Sequence, residues 1–265
     1  MPELPEVERY RQLAVQTVGR TITQVEAPDA WIVKGHVPAS RLDATLRGLV
    51  VAAVRRTGKL LLLDLSLPKT NAISTTLGMH FGMTGTLILD GLASEQQMRY
   101  TSTRDNVAWH RFTLRFGDGL LLTLRDPRRL GRIEVDPLET KLGPDALTIT
   151  KAQFNVAFKS TTAIKARLLD QHVVAGVGNL IADEMLWRAR LSPQRVAKSL
   201  DTKELAALYK HMRLTISLLQ RRGGSHTGDL MDHRRAGGHC PRCGALLITA
   251  KIGSRTSWWC PKCQQ

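Results

Sequence analysis

The sequence predicts an α+β chain of several domains in which strands, helices and a small cysteine-bearing ribbon follow one another. Short apolar runs bounded by Gly, Pro and Asp occupy the first half, and an apolar pattern of helical spacing follows them. All four cysteines lie at positions 240–263. A chain of 265 residues with 43% hydrophobic residues is long enough for two lobes and a finger.

The N-terminal region, residues 1–137, has the pattern of a strand-rich domain. The runs Leu60–Leu65, Thr86–Leu89 and Leu120–Leu124 are short, apolar and bounded by turn residues, as in a sandwich or a barrel. Ahead of them, a helix is predicted to begin within a few residues of Pro2 and to end near Gly19. Its apolar stripe consists of Tyr10, Leu13, Ala14 and Val18.

Residues 138–224 have the pattern of a helical lobe. Two groups of apolar residues at helical spacing flank a glycine-rich turn; they are Ala163, Ile164, Leu168 and Leu169, then Leu180, Met185 and Leu186. Gly176 and Gly178 permit positive φ and close approach of the backbone. Asn179 is expected to begin the next helix and to offer its amide, with nearby N–H groups, to a phosphate. The alternative is a plain glycine turn between packed helices.

The cysteines form two pairs, Cys240 with Cys243 and Cys260 with Cys263, with sixteen residues between the pairs. This is the ligand spacing of a zinc ribbon, a fold too small to be held by its own apolar core. Disulfide bonding is the alternative. We therefore expect residues 225–265 to form a linker and a four-cysteine finger that holds one structural Zn²⁺.

The charge of the chain indicates a polyanionic partner. It has 38 Lys and Arg against 23 Asp and Glu, and a pI near 10.3. The basic residues are spread through the chain, so the folded surface is expected to bind DNA or RNA, and a structural RNA-binding role fits the charge equally well. No apolar run of membrane-spanning length is present, and the first residues differ from a signal peptide. The expected location is cytoplasmic and nucleoid-associated.

The N-terminus carries the most specific chemistry. If Met1 is removed, Pro2 becomes a secondary amine of the α-amino type, which titrates at about 7.7–8.0. Such an amine can attack a sugar aldehyde carbon and form an iminium. Glu3, beside it in the chain, is a candidate general acid or base. The alternative is that Pro2 and Pro5 only mark the start of a helix whose first turn is acidic.

Five stretches of the chain together resemble one enzyme family. They are Met1–Glu8, Arg56–Leu60, His80–Gly85, Asp126–Gly131 and Asp170–Glu184. The chain resembles the formamidopyrimidine-DNA glycosylase and endonuclease VIII family of bifunctional base-excision enzymes. That resemblance implies an N-terminal β-sandwich with a flanking helix, a helix–two-turn–helix lobe and a C-terminal β-hairpin zinc ribbon. It also implies that an N-terminal proline expels a damaged base and cleaves the strand by β- and δ-elimination.

Residue by residue, the resemblance implies three catalytic groups, one of which also contacts phosphate, and two further phosphate contacts. Pro2 matches the nucleophile and Glu3 the acid of the family. Lys59 matches its phosphate-contacting and base-release lysine, and would otherwise be interpreted as an ordinary turn lysine. Asn179 lies in its phosphate clamp, and Arg255 matches the arginine at the tip of its zinc-finger hairpin.

Three further residues match those that fill the gap in the DNA duplex after the damaged nucleotide is flipped out. Met83 matches the wedge methionine, and Arg128 matches the arginine that addresses the orphaned base. Leu130 stands where many purine-specific members have phenylalanine, which leaves the opposite-base preference open. By residue type alone, Met83 would be a core filler and Arg128 a turn cation.

The connection from Gly224 to Cys240 has only fifteen intervening residues, whereas members that excise 8-oxoguanine have a longer one that folds over the base. The start of the chain is nevertheless of the formamidopyrimidine type. We expect ring-opened purines, hydantoins, oxidised pyrimidines or abasic sites to be processed better than 8-oxoguanine. The alternatives are a glycosylase specialised for bulky or alkylated adducts and a non-catalytic DNA-binding zinc protein.

We expect the chain to act as a monomer and to bind damaged double-stranded DNA. We expect neither a membrane partner nor a redox cofactor.

Overall fold

The computed structural model describes residues 2–70, 72–90 and 106–265, and the backbone of 92–93. These residues divide into two compact units. Pro2 and Glu6–Glu139 form the strand-rich unit, whereas Glu3–Pro5 and Thr140–Gln265 form the helical unit, which includes the ribbon.

The described part of the strand-rich unit contains two five-stranded sheets. Its strands are β1 Ile22–Glu26, β2 Val33–Lys34, β3 Val50–Thr57, β4 Leu60–Ser66, β5 Ile73–His80, β6 Thr86–Leu89, β7 Leu92–Ala93, β8 His110–Phe116, β9 Leu121–Arg125 and β10 Arg132–Val135. One sheet has the order β1-β8-β9-β6-β7 and the other β2-β10-β5-β4-β3. The pair β2 and β10 is parallel, and the other pairs are antiparallel.

One apolar core joins the two sheets into a β-sandwich. Leu61 and Leu63 of β4 and Leu122 and Leu124 of β9 are fully buried in it. Every residue of β4 is buried, which explains why its sequence is a continuous apolar run. Each fully buried leucine side chain stabilises the fold by about 1.5–3 kcal/mol. The predicted strand runs and the predicted sandwich are therefore confirmed.

Two helices, α1 Leu4–Ala14 and α2 Ala39–Leu46, accompany the sheets. The predicted start of the N-terminal helix is confirmed, and Tyr10 and Ala14 are fully buried in the sandwich core. The prediction that Val18 continues the buried apolar stripe is wrong, because Val18 is 41% exposed. After Ala14 the chain tightens into a 3₁₀ turn, which ends the 3.6-residue periodicity on which the prediction rested.

The helical unit contains α3 Lys151–Ala157, α4 Ile164–Leu169, α5 Asn179–Ala189 and α6 Thr202–Arg222. Asp201 and Glu204 form a capping box at the start of α6, and Gly223, with φ 102°, ends that helix in the left-handed region. Ile164, Leu168, Met185 and Leu186 are fully buried in the core of this unit, as the helical pattern predicts.

The ribbon is a hairpin of β11 Ile248–Ile252 and β12 Arg255–Trp259. Gly253 and Ser254 turn the chain with φ of 57° and 60°. Trp258 packs partly buried against a small core that includes Trp187, Leu230 and Leu247. The aromatic side chain therefore supports the ribbon. Within the described ranges, no helix is long and apolar enough to cross a membrane.

Candidate functional site

Glu3 is held at the N-terminal end of α5, within the helical unit. The amides of Leu180 and Ile181 donate to Oε1 and Oε2 of Glu3 over 2.9 and 3.1 Å. The first amides of a helix have no partner within the helix, and the positive end of the helix dipole favours a carboxylate there. Glu3 is fully buried. Its carboxylate is therefore fixed in one position, one residue along the chain from the buried Pro2.

Two glycines leave room for this N-terminal segment. A Cβ at Gly178 would lie 2.1 Å from Cδ of Glu3, and a Cβ at Gly176 would lie 2.5 Å from Cδ1 of Leu4. Gly176 also has φ +109°, which favours glycine. The side chain of Gln171 secures the turn through three hydrogen bonds of 2.9 Å to the surrounding backbone. The glycine turn is thus shaped around the Glu3 segment.

Asn179 and the tip of the ribbon hairpin lie side by side. Asn179 begins α5, as predicted, and its Nδ2 donates to the carbonyl of Thr256 over 3.2 Å. Arg255, the residue before Thr256, is exposed beside the Gly253–Ser254 turn. The structure therefore brings these two predicted phosphate contacts into the same region of the helical unit.

A buried ionic cluster lies beneath Asn179 and the hairpin. Nζ of Lys165 is 2.5 Å from Oδ1 of Asp183, and Nη2 of Arg234 is 2.8 Å from Oδ2. Lys165 also donates to the Thr256 carbonyl over 3.3 Å, and the amide of Trp258 donates to Asp183 over 3.3 Å. Burial lowers the pKa of Lys165, while the Asp183 carboxylate opposes that shift. The cluster joins α4, α5 and β12 through charges that are withdrawn from water.

Apolar periodicity in the sequence does not predict this cluster. Asp183 lies among the buried positions Ile181–Trp187, and Lys165 follows Ile164 on α4. A count of apolar spacing assigns charged residues to the solvent-facing side of a helix, and so it overlooks a buried acid paired with a buried base. The available signal was the acidic pair Asp183 and Glu184, which interrupts an otherwise apolar run.

In the strand-rich unit, Lys59 occupies the turn between β3 and β4. Gly58 has φ 59° and shapes this turn, while Lys59 is half-buried. His80, at the end of β5, has its pKa lowered to about 4 by burial and by the positive charges of Arg132 and Lys59. Nδ1 of His80 accepts a hydrogen bond from the Gly82 amide over 3.1 Å. A neutral imidazole at this position therefore carries its proton on Nε2.

The three residues predicted to fill the gap in the DNA duplex lie on two neighbouring loops of the strand-rich unit. Met83 is 43% exposed and Leu130 is 46% exposed, which is unusual for large apolar side chains. Arg128 is also exposed. Met83 is therefore not a core filler. A Cβ at Gly82 would lie 2.3 Å from the Leu130 carbonyl oxygen, so the two loops approach closely.

Asp126 joins the two loops, a role that was not predicted from the sequence. Its fully buried carboxylate accepts from the amides of Arg128, Leu130 and Gly131 over 3.2, 2.7 and 2.6 Å. Thr84, beside Met83, donates its hydroxyl to the same carboxylate over 2.6 Å. An aspartate before a proline often organises a turn in this way, which was the available signal.

The four cysteines are brought together as a metal site. Their Sγ atoms all lie within 4.8 Å of one another, and those of Cys243 and Cys260 are 3.5 Å apart. Tetrahedral zinc with Zn–S bonds of about 2.3 Å places its sulfurs about 3.8 Å apart. Trp187 and the amide of Cys263 donate to Sγ of Cys240 and Cys260 over 3.4 Å, as expected for thiolate ligands. The site fits zinc.

Comparison with protein families covers most of the chain. The family model of the formamidopyrimidine-DNA glycosylase N-terminal domain matches residues 1–133, and that of the formamidopyrimidine-DNA glycosylase H2TH domain matches residues 142–228. The zinc finger found in FPG and IleRS matches residues 237–265. The four-cysteine cluster therefore lies in a segment that matches a zinc finger.

Individual relatives agree with the family comparison. The formamidopyrimidine-DNA glycosylase of Roseiflexus sp. (strain RS-1) is 34% identical over 291 residues, and the match covers 100% of both chains. A complex between the LlFpg protein, a THF-DNA and an inhibitor superposes with a TM-score of 0.81 at 27% identity, also over 100% of both chains. The Lactococcus lactis Fpg in complex with N7-benzyl-Fapy-dG-containing DNA gives a TM-score of 0.80 at 26% identity over 100% of both chains.

A β-sandwich, a helix–two-turn–helix lobe and a zinc-finger hairpin together define the class of this protein as a DNA glycosylase and abasic-site lyase of base-excision repair. The fold and the matches agree over the full length of the chain. The chain belongs to the formamidopyrimidine-DNA glycosylase family.

Proposed function

We propose that this chain removes damaged bases from duplex DNA and then cleaves the strand through a Schiff base on Pro2. The observation that carries the proposal is the placement of Glu3. Its buried carboxylate is fixed by two backbone amides of α5, one residue from Pro2 in the chain. A fixed acid beside a potential N-terminal amine is the pair of groups that this chemistry requires.

The first step joins the enzyme to the sugar. After removal of Met1, the Pro2 nitrogen uses its lone pair to form a bond to C1′ of the damaged nucleotide. The bond from C1′ to the base breaks, and the base departs with that electron pair and takes up a proton. The Glu3 carboxylate takes the proton that the Pro2 nitrogen loses and passes it to O4′ as the C1′–O4′ bond breaks and the sugar ring opens. The product is an iminium between Pro2 and C1′.

Strand cleavage follows from the iminium. Its positive nitrogen makes a C2′ hydrogen acidic, and loss of that proton expels the 3′ phosphate by β-elimination. Loss of a second proton then expels the 5′ phosphate by δ-elimination, and water hydrolyses the iminium to regenerate Pro2. No electrons are gained or lost overall, because the iminium is the electron sink. The sequence of steps therefore consumes neither oxidant nor reductant.

The remaining predicted residues have binding roles in this proposal. Lys59, Asn179 and Arg255 contact DNA phosphates, and Lys59 also assists release of the base. Met83 and Leu130 fill the space left by the extruded nucleotide, and Arg128 addresses the orphaned base. The exposure of Met83, Leu130 and Arg128 supports these roles.

The proposal includes a single structural zinc and a chain that acts as a monomer on damaged duplex DNA. Cys240, Cys243, Cys260 and Cys263 would hold the zinc, which supplies folding energy to the ribbon and takes no part in bond breaking. Residues 1–137, 138–224 and 225–265 are the proposed catalytic, helix–two-turn–helix and finger domains.

The short connection to the finger supports a preference for lesions other than 8-oxoguanine. Its fifteen residues are anchored, because Leu230 is fully buried and Arg234 pairs with Asp183. The amides of Asp229 and Leu230 also donate to the buried carboxylate of Glu184 over 3.2 and 2.9 Å. Little of this connection is left to cover a purine, and we propose ring-opened purines, hydantoins, oxidised pyrimidines and abasic sites as better substrates.

A second candidate is a glycosylase specialised for bulky or alkylated adducts. An anchored connection leaves room for a larger base, and the Lactococcus lactis relative has been crystallised with N7-benzyl-Fapy-dG-containing DNA. Single-turnover rates on duplexes that carry 8-oxoguanine, a hydantoin or a benzylated formamidopyrimidine separate these candidates. If 8-oxoguanine is the fastest substrate, both specificity proposals are wrong.

Borohydride trapping tests the mechanism. Purified protein, with Met1 removal verified by intact mass, is incubated with a duplex that contains one abasic site, and borohydride is then added. We expect a covalent complex in the wild type and its loss or large reduction in Pro2→Gly. Unchanged trapping by Pro2→Gly would refute the assignment, and absence of trapping by processed wild-type protein would favour a binding protein without catalysis.

A further inference from the structure

The loop that carries Arg128 and Leu130 has an ionic anchor at its centre. Arg129, between them, has φ 57°, a left-handed conformation that is uncommon for arginine. Nε and Nη2 of Arg129 donate to the two carboxylate oxygens of Asp29 over 2.6 and 2.8 Å. This is the bidentate geometry that gives arginine–carboxylate pairs their directional strength.

Asp29 is itself held in place from several sides. The Trp31 amide donates to its Oδ1 over 3.2 Å, and Nη1 of Arg111 lies 3.7 Å from its Oδ2. The side chain of Asp29 is only 9% exposed. The hydrogen bonds from Arg129 hold the pKa of the Asp29 carboxyl below its ordinary value, so the pair remains ionised near neutral pH. The Asp29 carboxylate is therefore a negative charge held in one position.

Neighbouring side chains do not pack closely enough against this side of the loop to hold it without the ion pair. Asp29, Arg111 and Arg129 border a cavity of about 460 Å³, so the loop has open space on this side. Arg111 meanwhile donates from Nε to the Asp126 carbonyl over 2.9 Å and so links Asp29 to the base of the loop. The loop is thus held at its base by Asp126 and at its centre by Asp29.

We propose that Asp29 is a positioning residue that sets the opposite-base preference of the enzyme by holding Arg129 and thereby aiming Arg128. This inference rests on the proposed role of Arg128 at the orphaned base. Hydrogen bonds to a base edge discriminate between bases only when the donor is placed accurately. Without the ion pair between Arg129 and Asp29, the loop is no longer fixed, and Arg128 can reach all four bases with similar geometry.

Two substitutions isolate the ion pair with little other change. Asp29→Asn keeps an oxygen that can accept from the Trp31 amide but removes the charge. Arg129→Asn removes the guanidinium and tolerates the left-handed backbone. Asp118→Asn is the matched control, because Asp118 also accepts from an arginine, Arg20, and from the amide two residues ahead, but lies elsewhere in the strand-rich unit.

The measurement is the dissociation constant for four duplexes in which an uncleavable abasic analogue faces each of the four bases. In the wild type we expect a clear preference, with the ratio of weakest to tightest dissociation constants well above one. Asp29→Asn and Arg129→Asn should each reduce that ratio at least about threefold, and the double variant should reduce it no further. Asp118→Asn should leave it unchanged. Arg128→Ala gives the largest possible reduction.

A merely structural role would weaken binding to all four duplexes by one factor and leave the ratio intact. The proposal is overturned if the ratio survives either substitution, if the two effects add, or if the wild type shows no preference. Binding to the analogue requires no bond cleavage. Failure of this inference is therefore distinguishable from failure of the Pro2 mechanism, which is read by trapping.

Discussion

The two units hold their proposed DNA-contacting residues by different physical means. In the helical unit, Asn179 and the hairpin that bears Arg255 rest on a buried ionic cluster and adjoin a cysteine metal site. In the strand-rich unit, the loops that bear Met83 and Arg128 rest on two carboxylates, one that accepts backbone amides and one that pairs with an arginine of the loop. One arrangement depends on a buried network of opposite charges between secondary-structure elements, and the other on carboxylates that fix the course of a loop.

This difference has an energetic consequence. A buried charge left without its partner is costly, so loss of one member of the ionic cluster should affect the whole helical unit. A loop with exposed side chains can change those residues without disturbing the core beneath. We therefore expect mutations in the helical unit to act mainly through stability, and mutations of the strand-unit loops to act mainly through selectivity.

Removal of zinc should have the largest effect. Structural zinc sites contribute about 10–16 kcal/mol of binding free energy in finger peptides, so chelation should unfold the ribbon. Hydrogen exchange should show lost protection in β11 and β12, with the sandwich strands unchanged. Elemental analysis should give one zinc per chain before treatment. Full protection of the hairpin in metal-free protein would contradict a structural role for the metal.

Asp183→Ala should have the next largest effect. It leaves Lys165 buried without its carboxylate, which should lower the free energy of unfolding by about 3–5 kcal/mol. Urea unfolding provides the measurement. Asp118→Ala is the control, because that aspartate is exposed and its loss should change stability little. Equal effects of the two substitutions would show that the buried cluster contributes no more to stability than an exposed ion pair.

A smaller effect is expected from His80 in the strand-rich unit. Burial lowers its folded pKa from 6.5 to about 4, so the unfolded chain binds the proton more readily. The stability contributed by neutral His80 is complete above pH 6.5 and is lost as pH falls through about 4. The loss should approach about 3 kcal/mol. Urea unfolding across this pH range should show a steeper decline in the free energy of unfolding for the wild type than for His80→Gln. Parallel declines in the two proteins would refute the proposed contribution of His80.

Arg255→Ala should have the smallest effect on stability, because Arg255 is exposed. It should weaken DNA binding and reduce the slope of log affinity against log salt by about 0.9, as expected for the loss of one phosphate contact. Lys262→Ala, another exposed cation of the finger, should change that slope less. An unchanged affinity of Arg255→Ala over a range of salt would remove its proposed phosphate role.

Features with a local signature could be predicted from the sequence. The apolar run of β4, the start of α1, the beginning of α5 at Asn179 and the cysteine pairs each follow from a short stretch of chain. The placement of the helical core also followed from apolar spacing. These predictions held because hydrogen-bond periodicity and ligand spacing operate over a few residues.

Features that depend on distant partners could not be predicted. Nothing in the sequence near Asp183 indicates that Lys165 and Arg234 will pair with it, and nothing near Asp29 indicates Arg129, one hundred residues away. Val18 continues the apolar stripe in the sequence but is exposed, because periodicity alone does not show where α1 gives way to a 3₁₀ turn. Charged pairs within a core become visible only once the chain has folded.

The contact between Glu3 and α5 also provides a spectroscopic probe. The amides of Leu180 and Ile181 lie 177 and 178 residues from Glu3 in the chain but donate directly to its carboxylate. Their proton chemical shifts should change when that hydrogen-bonded contact is lost. Two assigned peaks in a nitrogen–proton spectrum would therefore show whether Glu3 stays docked on α5, without a label on the enzyme's reacting groups.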